Sequence, residues 1–441
     1  MRCAPQDPGR PSHPWRAGRW SPSRPTGSLA GGAALFHARC APAWAGLPPP
    51  PAADLASIRT PAARAGGYGS RAAGAHAVRR LRTGGQLLLG NGHATLWRGL
   101  ATALARAGHR LTFFERDQPW YAAHRDLTEL PAGELVLHRG LETVAGRVER
   151  ALGGADVAMV TSFCPDGPAA VARVLASRAQ VKAFYDLDPG ATLERLERGR
   201  PVEWLGPEGL AGFDLVLSYS GGGALALLRD RLGARRVEAL HGWVDPEVHR
   251  PAAPLVAFTG DLSYLGTWAA SRQAALEALF LAPAARRPDR TFVLAGAQYG
   301  ADFPWRANVR YVRHLEPALH PAFFCSSPLT LSVTRPEMAA LGACPSARLF
   351  EAAACGVPVL TDWFEGLPQF FTPDEEILVA RTTEDVLAAL ARSPASLARM
   401  GARARERTLA EHTAAARVGQ LVTACQASAG AAEAPAAGGA A

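Results

Sequence analysis

Gln86-Leu-Leu-Leu-Gly-Asn-Gly-His93 is followed by a stretch of helical spacing at residues 97–107 and by the apolar run Leu111-Thr-Phe-Phe-Glu115. Apolar residues running straight into a glycine turn predict a buried strand. Apolar side chains recur at helical intervals through 97–107, and Gly108 suits the position just past a helix C-terminus. Strand, glycine turn, helix, strand is the opening of a doubly wound α/β domain.

The alternation continues outward from there. Strands are predicted at 157–161, 181–185 and 215–218, a helix at 168–177, and a turn at Gly221-Gly-Gly223. Leu240-His-Gly-Trp-Val-Asp-Pro-Glu-Val-His-Arg-Pro251 carries two prolines and reads as a linker between domains. The rhythm then restarts, with strands at 255–259, 291–295, 329–334 and 357–361. Helices are predicted at 271–281, 347–355 (Gly356 closing it), 383–392 and 397–425. The expected architecture is α/β: two Rossmann-like doubly wound domains, 84–252 and 253–425, facing across a cleft, with an Ala/Gly tail at 426–441.

The net charge of +8 suggests nucleic acid until it is localised. Residues 1–83 hold twelve Arg and two Asp, so the remainder carries a slight negative excess. A nucleic-acid or membrane-surface partner is therefore not expected for the folded part. Residues 1–83, rich in Pro, Gly, Ala and Arg, show no sustained period and are expected to lack a packed core, or to be a spurious extension. Seven cysteines without CxxC pairs argue against a metal cluster or disulfide framework and fit a reducing, cytoplasmic setting. No apolar run approaches the roughly 20 residues that a membrane-spanning helix needs.

Three places can carry chemistry. Gly90, Gly92 and His93 sit where a glycine turn meets a helix start, which suits an anion, with His93 as acid–base group, phosphate contact or helix cap. Asp186 and Asp188 follow an apolar strand. They read either as a divalent-metal pair on a nucleotide diphosphate or as a cap on the next helix. The richest stretch is Leu331-Ser-Val-Thr-Arg335 with Cys344-Pro-Ser-Ala-Arg-Leu-Phe-Glu-Ala-Ala-Ala-Cys-Gly-Val-Pro-Val-Leu-Thr-Asp362. Ser346 is a helix N-cap, and Arg348 and Glu351 share one face of an otherwise small and apolar helix. Charges on such a helix are expensive without partners or ligands. Arg348 and the helix N-terminus suit a diphosphate, Glu351 suits ribose hydroxyls, and Arg335 ends a neighbouring strand.

On these residues the chain resembles the CgeB-like (spore-maturation-type) group of GT-B glycosyltransferases, related to glycosyltransferase group 1. The resemblance rests on Gly90–Thr95, Phe113-Phe-Glu-Arg-Asp117, Trp120-Tyr121, Tyr185-Asp-Leu-Asp188, Tyr264-Leu-Gly-Thr267 with Arg272, Val333-Thr-Arg335, and Pro345-Ser-Ala-Arg-Leu-Phe-Glu-Ala-Ala-Ala-Cys-Gly356. It implies a nucleotide-sugar donor held mainly by the second domain and an unknown acceptor near the first. It also implies a reaction that needs no divalent metal, because Arg side chains and helix dipoles neutralise the diphosphate. On this reading Arg335, Glu351 and His93 serve catalysis, and Gly90, Gly92, Arg272, Ser346, Arg348 and Asp362 bind donor. Retaining relatives carry a Glu, seven residues, then a second Glu. Glu351 matches the second, but Ala343 stands at the first, which leaves the stereochemical outcome open. The rivals are an NDP-sugar epimerase of the same fold and a non-catalytic binding module.

Overall fold

The computed structural model describes residues 80–84, 92–117 and 129–433. The strand predicted at 87–89, Gly90, and Trp120-Tyr121 lie outside them, as does nearly all of the expected extension at 1–83. The strand that opens the first sheet is β1 (Arg80–Gly84), a few residues before the predicted one.

Two all-parallel sheets make the frame. The first orders its strands β3-β2-β1-β4-β5-β6-β7, with β2 Arg110–Arg116, β3 Gly133–His138, β4 Val157–Thr161, β5 Val181–Asp186, β6 Leu215–Ser218 and β7 Val237–Ala239. The second orders them β10-β9-β8-β11-β12-β13, with β8 Leu262–Leu265, β9 Phe292–Gly296, β10 Val309–Arg313, β11 Thr330–Ser332, β12 Val359–Thr361 and β13 Leu378–Val379. Both orders reverse beside their first strand, the doubly wound pattern. Ligands of such sheets bind beyond the C-terminal strand ends at that reversal. The central strands β4, β6, β8, β9, β11 and β12 are buried along their whole length, as strands covered by helices on both faces must be.

The helices used below are α1 (Gly92–Arg106), α2 (Ala145–Gly153), α3 (Gly167–Ala176), α4 (Pro189–Glu197) and α5 (Gly223–Leu232) in the first half. The second half has α6 (Gln273–Leu276), α7 (Ala282–Arg286), α8 (His320–Cys325), α9 (Pro336–Ala339), α10 (Ala347–Ala354), α11 (Thr383–Leu390), α12 (Pro394–Glu411) and α13 (Ala414–Glu433).

Three expectations for the second half are corrected. The apolar run at 255–259 is a 3-10 turn, Val256–Phe258, which seats Phe258 edge-on against Phe323 at 5.7 Å; the strand starts only at Leu262. The predicted helix 271–281 is α6 running through a π turn, Glu277–Leu281, into α7. Pro283 lacks an N–H and its ring would collide with the carbonyl four residues back, so the wider turn relieves it. The predicted helix 397–425 is two helices. His412 ends α12, and the Thr413 hydroxyl accepts the Ala416 N–H at 3.2 Å to cap α13.

That break sends the chain back to the first half. Val244 of the irregular 240–251 segment bridges Thr413, and Trp243 Nε1 donates to the Leu96 carbonyl at 2.8 Å. Arg417 of α13, 2% exposed, donates to the carbonyls of His241, Gly242 and Glu411. Its guanidinium stitches the C-terminal helix onto the connection between the sheets.

Candidate functional site

Beyond β11, at the reversal of the second sheet, the two halves enclose a cleft pocket of about 200 Å³. Thr95 and Leu96 from the first turns of α1, and Leu187 and Asp188 beyond β5, form one wall. Arg272, His320, Arg335, Ser346, Arg348 and Glu351 form much of the other.

Three residues create the opposing wall from one local motif. Ser346 is the N-cap of α10, its hydroxyl accepting from the Arg348 N–H. The cap starts the helix at the cleft rim and points its N-terminal dipole into the pocket. Arg348 and Glu351 then follow on the pocket-facing side of α10, as their spacing predicted. Glu351 is only 7% exposed, and neither its carboxylate nor the Arg348 guanidinium forms a hydrogen bond or ion pair with another described residue.

Arg335 is placed differently. It occupies the N-cap position of the short α9 without a side-chain capping bond and reaches across the cleft to Asp188, Nη to Oδ2 at 2.5 Å, with Glu337 3.6 Å away on its own side. Burial works against its charge, but the Asp188 carboxylate more than restores it and raises its pKa. Asp188 also caps α4, accepting the Ala191 N–H at 3.2 Å. Of the two readings of Asp186 and Asp188, the capping one describes the geometry. Asp186 is 0% exposed, and its Oδ1 accepts the Asp188 N–H while Oδ2 has no partner. Burial raises its pKa to about 6. The pair does not offer two open carboxylates to one ion.

Asp362, expected to bind donor, is not among the pocket-lining residues. Its carboxylate accepts from the Thr334 N–H and hydroxyl, both at 2.9 Å, and so fixes the chain leaving β11 towards Arg335. Arg272 does line the pocket, with Nη1 tied to the Thr267 carbonyl at 3.0 Å and Nε unpartnered. Gly92 opens α1 and His93 lies in its first turn, beside the lining residues Thr95 and Leu96.

Ala343, at the position of the missing first Glu, has φ +42° and is 3% exposed. Left-handed backbone in a non-glycine residue is uncommon and collects near functional sites. Its carbonyl accepts the Gly221 N–H at 2.9 Å, and that of Leu341 accepts the Gly223 N–H at 2.8 Å. A Cβ on Gly222 would sit 2.6 Å from the Leu341 carbonyl oxygen, so the glycine run lets the two halves touch backbone to backbone. A Cβ on Gly221 or Gly366 would come within 3.0–3.2 Å of the Ala343 methyl.

Sequence reasoning missed His249 and His320. Neither stands in a recognisable pattern: His249 is in the proline-rich connection and His320 starts the six-residue α8. Burial pushes the His320 pKa down to about 4.

Solved structures share this architecture. Sucrose-phosphate synthase from Thermosynechococcus elongatus superposes with a TM-score of 0.60 at 17% identity, over 79% of this chain and 99% of that one. The HepE protein of Anabaena, in complex with UDP and glucose, gives 0.56 at 12% identity over 79% and 100%. An α-glucosyltransferase in complex with UDP and a 13-mer DNA gives 0.57 at 11% over 79% and 100%. The fold is GT-B. Within this GT-B chain, residues 272–423 match a family model described as "Glycosyl transferase-like". That match takes in Arg272, Arg335, Arg348 and Glu351 and stops short of the first half. No curated protein matches the chain by sequence. Among the described residues no helix is long and apolar enough to cross a membrane.

Proposed function

We propose that this GT-B chain moves a sugar from a nucleoside-diphosphate sugar to an acceptor, with the donor seated on α10. The observation that supports it most is the Arg348–Glu351 pair, turned into a cleft and left without protein partners at a helix N-terminus. A charge held in that setting is stabilised by a ligand that completes its hydrogen bonds. The diphosphate lies at the α10 N-terminus against Arg348, with Arg272 reaching it from the far side. Glu351, one turn further in, accepts from the ribose hydroxyls. His93 and the α1 start meet the sugar, and the acceptor enters from the first half. The residues shared with the CgeB-like group belong to this reading, and two GT-B structures bound to UDP make uridine the first base to test.

Two carboxylates line the pocket, and both are committed: Asp188 to Arg335 and Glu351 to ribose. With Ala343 in place of a third, the leaving diphosphate serves as base. The acceptor hydroxyl oxygen bonds to the anomeric carbon on the face from which the diphosphate departs. The bond from that carbon to the phosphate oxygen breaks, and the hydroxyl proton passes to the diphosphate. Arg348 and Arg335 stabilise the charge that develops there, which removes the need for a divalent ion on the diphosphate.

The test is a thermal-shift screen of the full chain against UDP-, GDP-, ADP- and dTDP-sugars with no Mg2+ or Mn2+ added. One nucleotide series should raise the melting temperature. Turnover should require an acceptor, whereas an epimerase would release an isomer without one. No shift with any donor would overturn the assignment.

A further inference from the structure

Behind Glu351, at the inner end of the cleft, three side chains from three separate elements converge. His249 comes from the connection between the sheets, His320 from the first turn of α8, and Glu351 from α10. One ligand atom from each lies within 4.8 Å of the other two. His249 is 2% exposed, and neither of its ring nitrogens has a hydrogen-bond partner; the Nδ1 of His320 is also buried without one. A buried imidazole with both nitrogens unpaired loses its hydration without replacement, a cost of the order of 1–3 kcal/mol for each unsatisfied group. Here a second imidazole shares the position, their ring centroids 6.3 Å apart. An unpaired carboxylate faces both.

We propose that His249, His320 and Glu351 bind a divalent transition-metal ion, Zn2+ by the character of the ligand set. Two imidazole nitrogens and one carboxylate oxygen are a donor set that zinc accepts, whereas Mg2+ and Ca2+ take oxygen ligands almost alone. Nitrogens about 2.0–2.1 Å from a tetrahedral zinc lie roughly 3.4 Å apart. The three ligand atoms, within 4.8 Å of one another, therefore need to close by at most about 1.4 Å, within reach of side-chain rotation. The fourth position is left to water or to an oxygen of a cleft ligand, since His320 and Glu351 both line the pocket and His249 does not. The ion would ligate one oxygen of Glu351 and leave the other facing the cleft. It would also tie the connection between the sheets to α8 and α10. This ion is separate from the diphosphate, which stays with the arginines.

The experiment uses the full chain, stripped with EDTA, dialysed, and titrated with Co2+ and then Zn2+. One equivalent of Co2+ should give the visible d–d absorption of a four-coordinate site, and Zn2+ should bleach it. His249→Asn and His320→Gln should each weaken Co2+ affinity by about tenfold or more. His249 is buried and its variant can misfold; His320, at the pocket edge, keeps the test valid if it does. No absorption at stoichiometric Co2+, or a band whose affinity is unchanged in a folded His320→Gln, overturns the proposal. UDP-sugar binding is read separately on the stripped protein. If the donor binds and the Co2+ band is absent, only the ion is wrong; if the band is present and no donor binds, only the transferase reading is.

Discussion

Two acid–base pairs face each other across the same cleft, and the fold treats them in opposite ways. Asp188 and Arg335 satisfy one another, and Asp188 caps a helix as well. Arg348 and Glu351, one turn apart on α10, have no side-chain hydrogen-bond or ion-pair partner among the described residues although Glu351 is as buried as Asp188. The first pair belongs to the architecture and ties the halves together at rest. The second has been left for something that the chain does not itself supply. Asp186, two residues from Asp188, shows a third outcome: sealed from solvent with one oxygen unpaired, it shifts its pKa upward instead.

The sharpest way to break this contrast is Arg348→Ala. If the guanidinium makes two charge-assisted hydrogen bonds to a diphosphate, each of about 1.5–3 kcal/mol, its loss removes about 3–6 kcal/mol of donor binding. That is roughly a hundredfold or more in Kd, read by calorimetry with the nucleotide that the screen selects. Stability should stay within about 0.5 kcal/mol of the parent, because no hydrogen bond or ion pair of the side chain with another described residue is lost. Donor binding unchanged in a folded variant would return Arg348 to the role of a surface charge.

Asp186→Asn tests the protonation outcome. The folded carboxyl has a pKa of about 6 against an ordinary value of 3.8, so the folded state holds a proton that the unfolded chain has released between those values. This group therefore stabilises the fold most below pH 4, and its contribution falls by roughly 3 kcal/mol as pH rises to 6. Half-buried His241 and buried His412, each near 4, act in the opposite direction: the unfolded chain takes up their protons first as pH falls below 6.5. The net curve mixes these slopes, so the informative quantity is the variant-minus-parent difference in urea unfolding at pH 4, 5, 6 and 7. It should grow in favour of Asn through that window. A difference that is flat with pH would show that Asp186 is ionised in the folded protein.

The same contrast explains what the sequence made legible. Ser346, Arg348 and Glu351 could be read because helix spacing alone fixes which side chains share a face, and the apolar remainder of α10 fixes that face as inward. Gly108 and Gly356 marked element ends because a positive φ there favours glycine. The Asp188–Arg335 pair could not be read, since it joins residues far apart in sequence through the docking of two halves. The breaks in the second half failed for a different reason. Around Pro283 and Thr413 the apolar period continues, while the backbone must accommodate one missing N–H or accept a new cap. His249 and His320 gave no signal, because convergence from a linker and a helix start has no period.

The smallest effect falls on the satisfied pair. Asp188→Ala removes a helix cap, worth about 1 kcal/mol, and strips a half-buried guanidinium of its carboxylate. Arg335 keeps 28% of its side chain exposed and has Glu337 3.6 Å away, so the second loss is screened and the total should be about 2 kcal/mol in urea unfolding. Asp188→Asn should lose less, because the amide oxygen still caps α4. Donor binding should move the other way. Asp188 competes with the diphosphate for Arg335, so releasing it should tighten nucleotide affinity in Asp188→Asn by a few fold. If Asp188→Asn weakens the donor as Arg348→Ala does, Asp188 belongs to the binding set, and the division between a structural pair and a ligand-binding pair collapses.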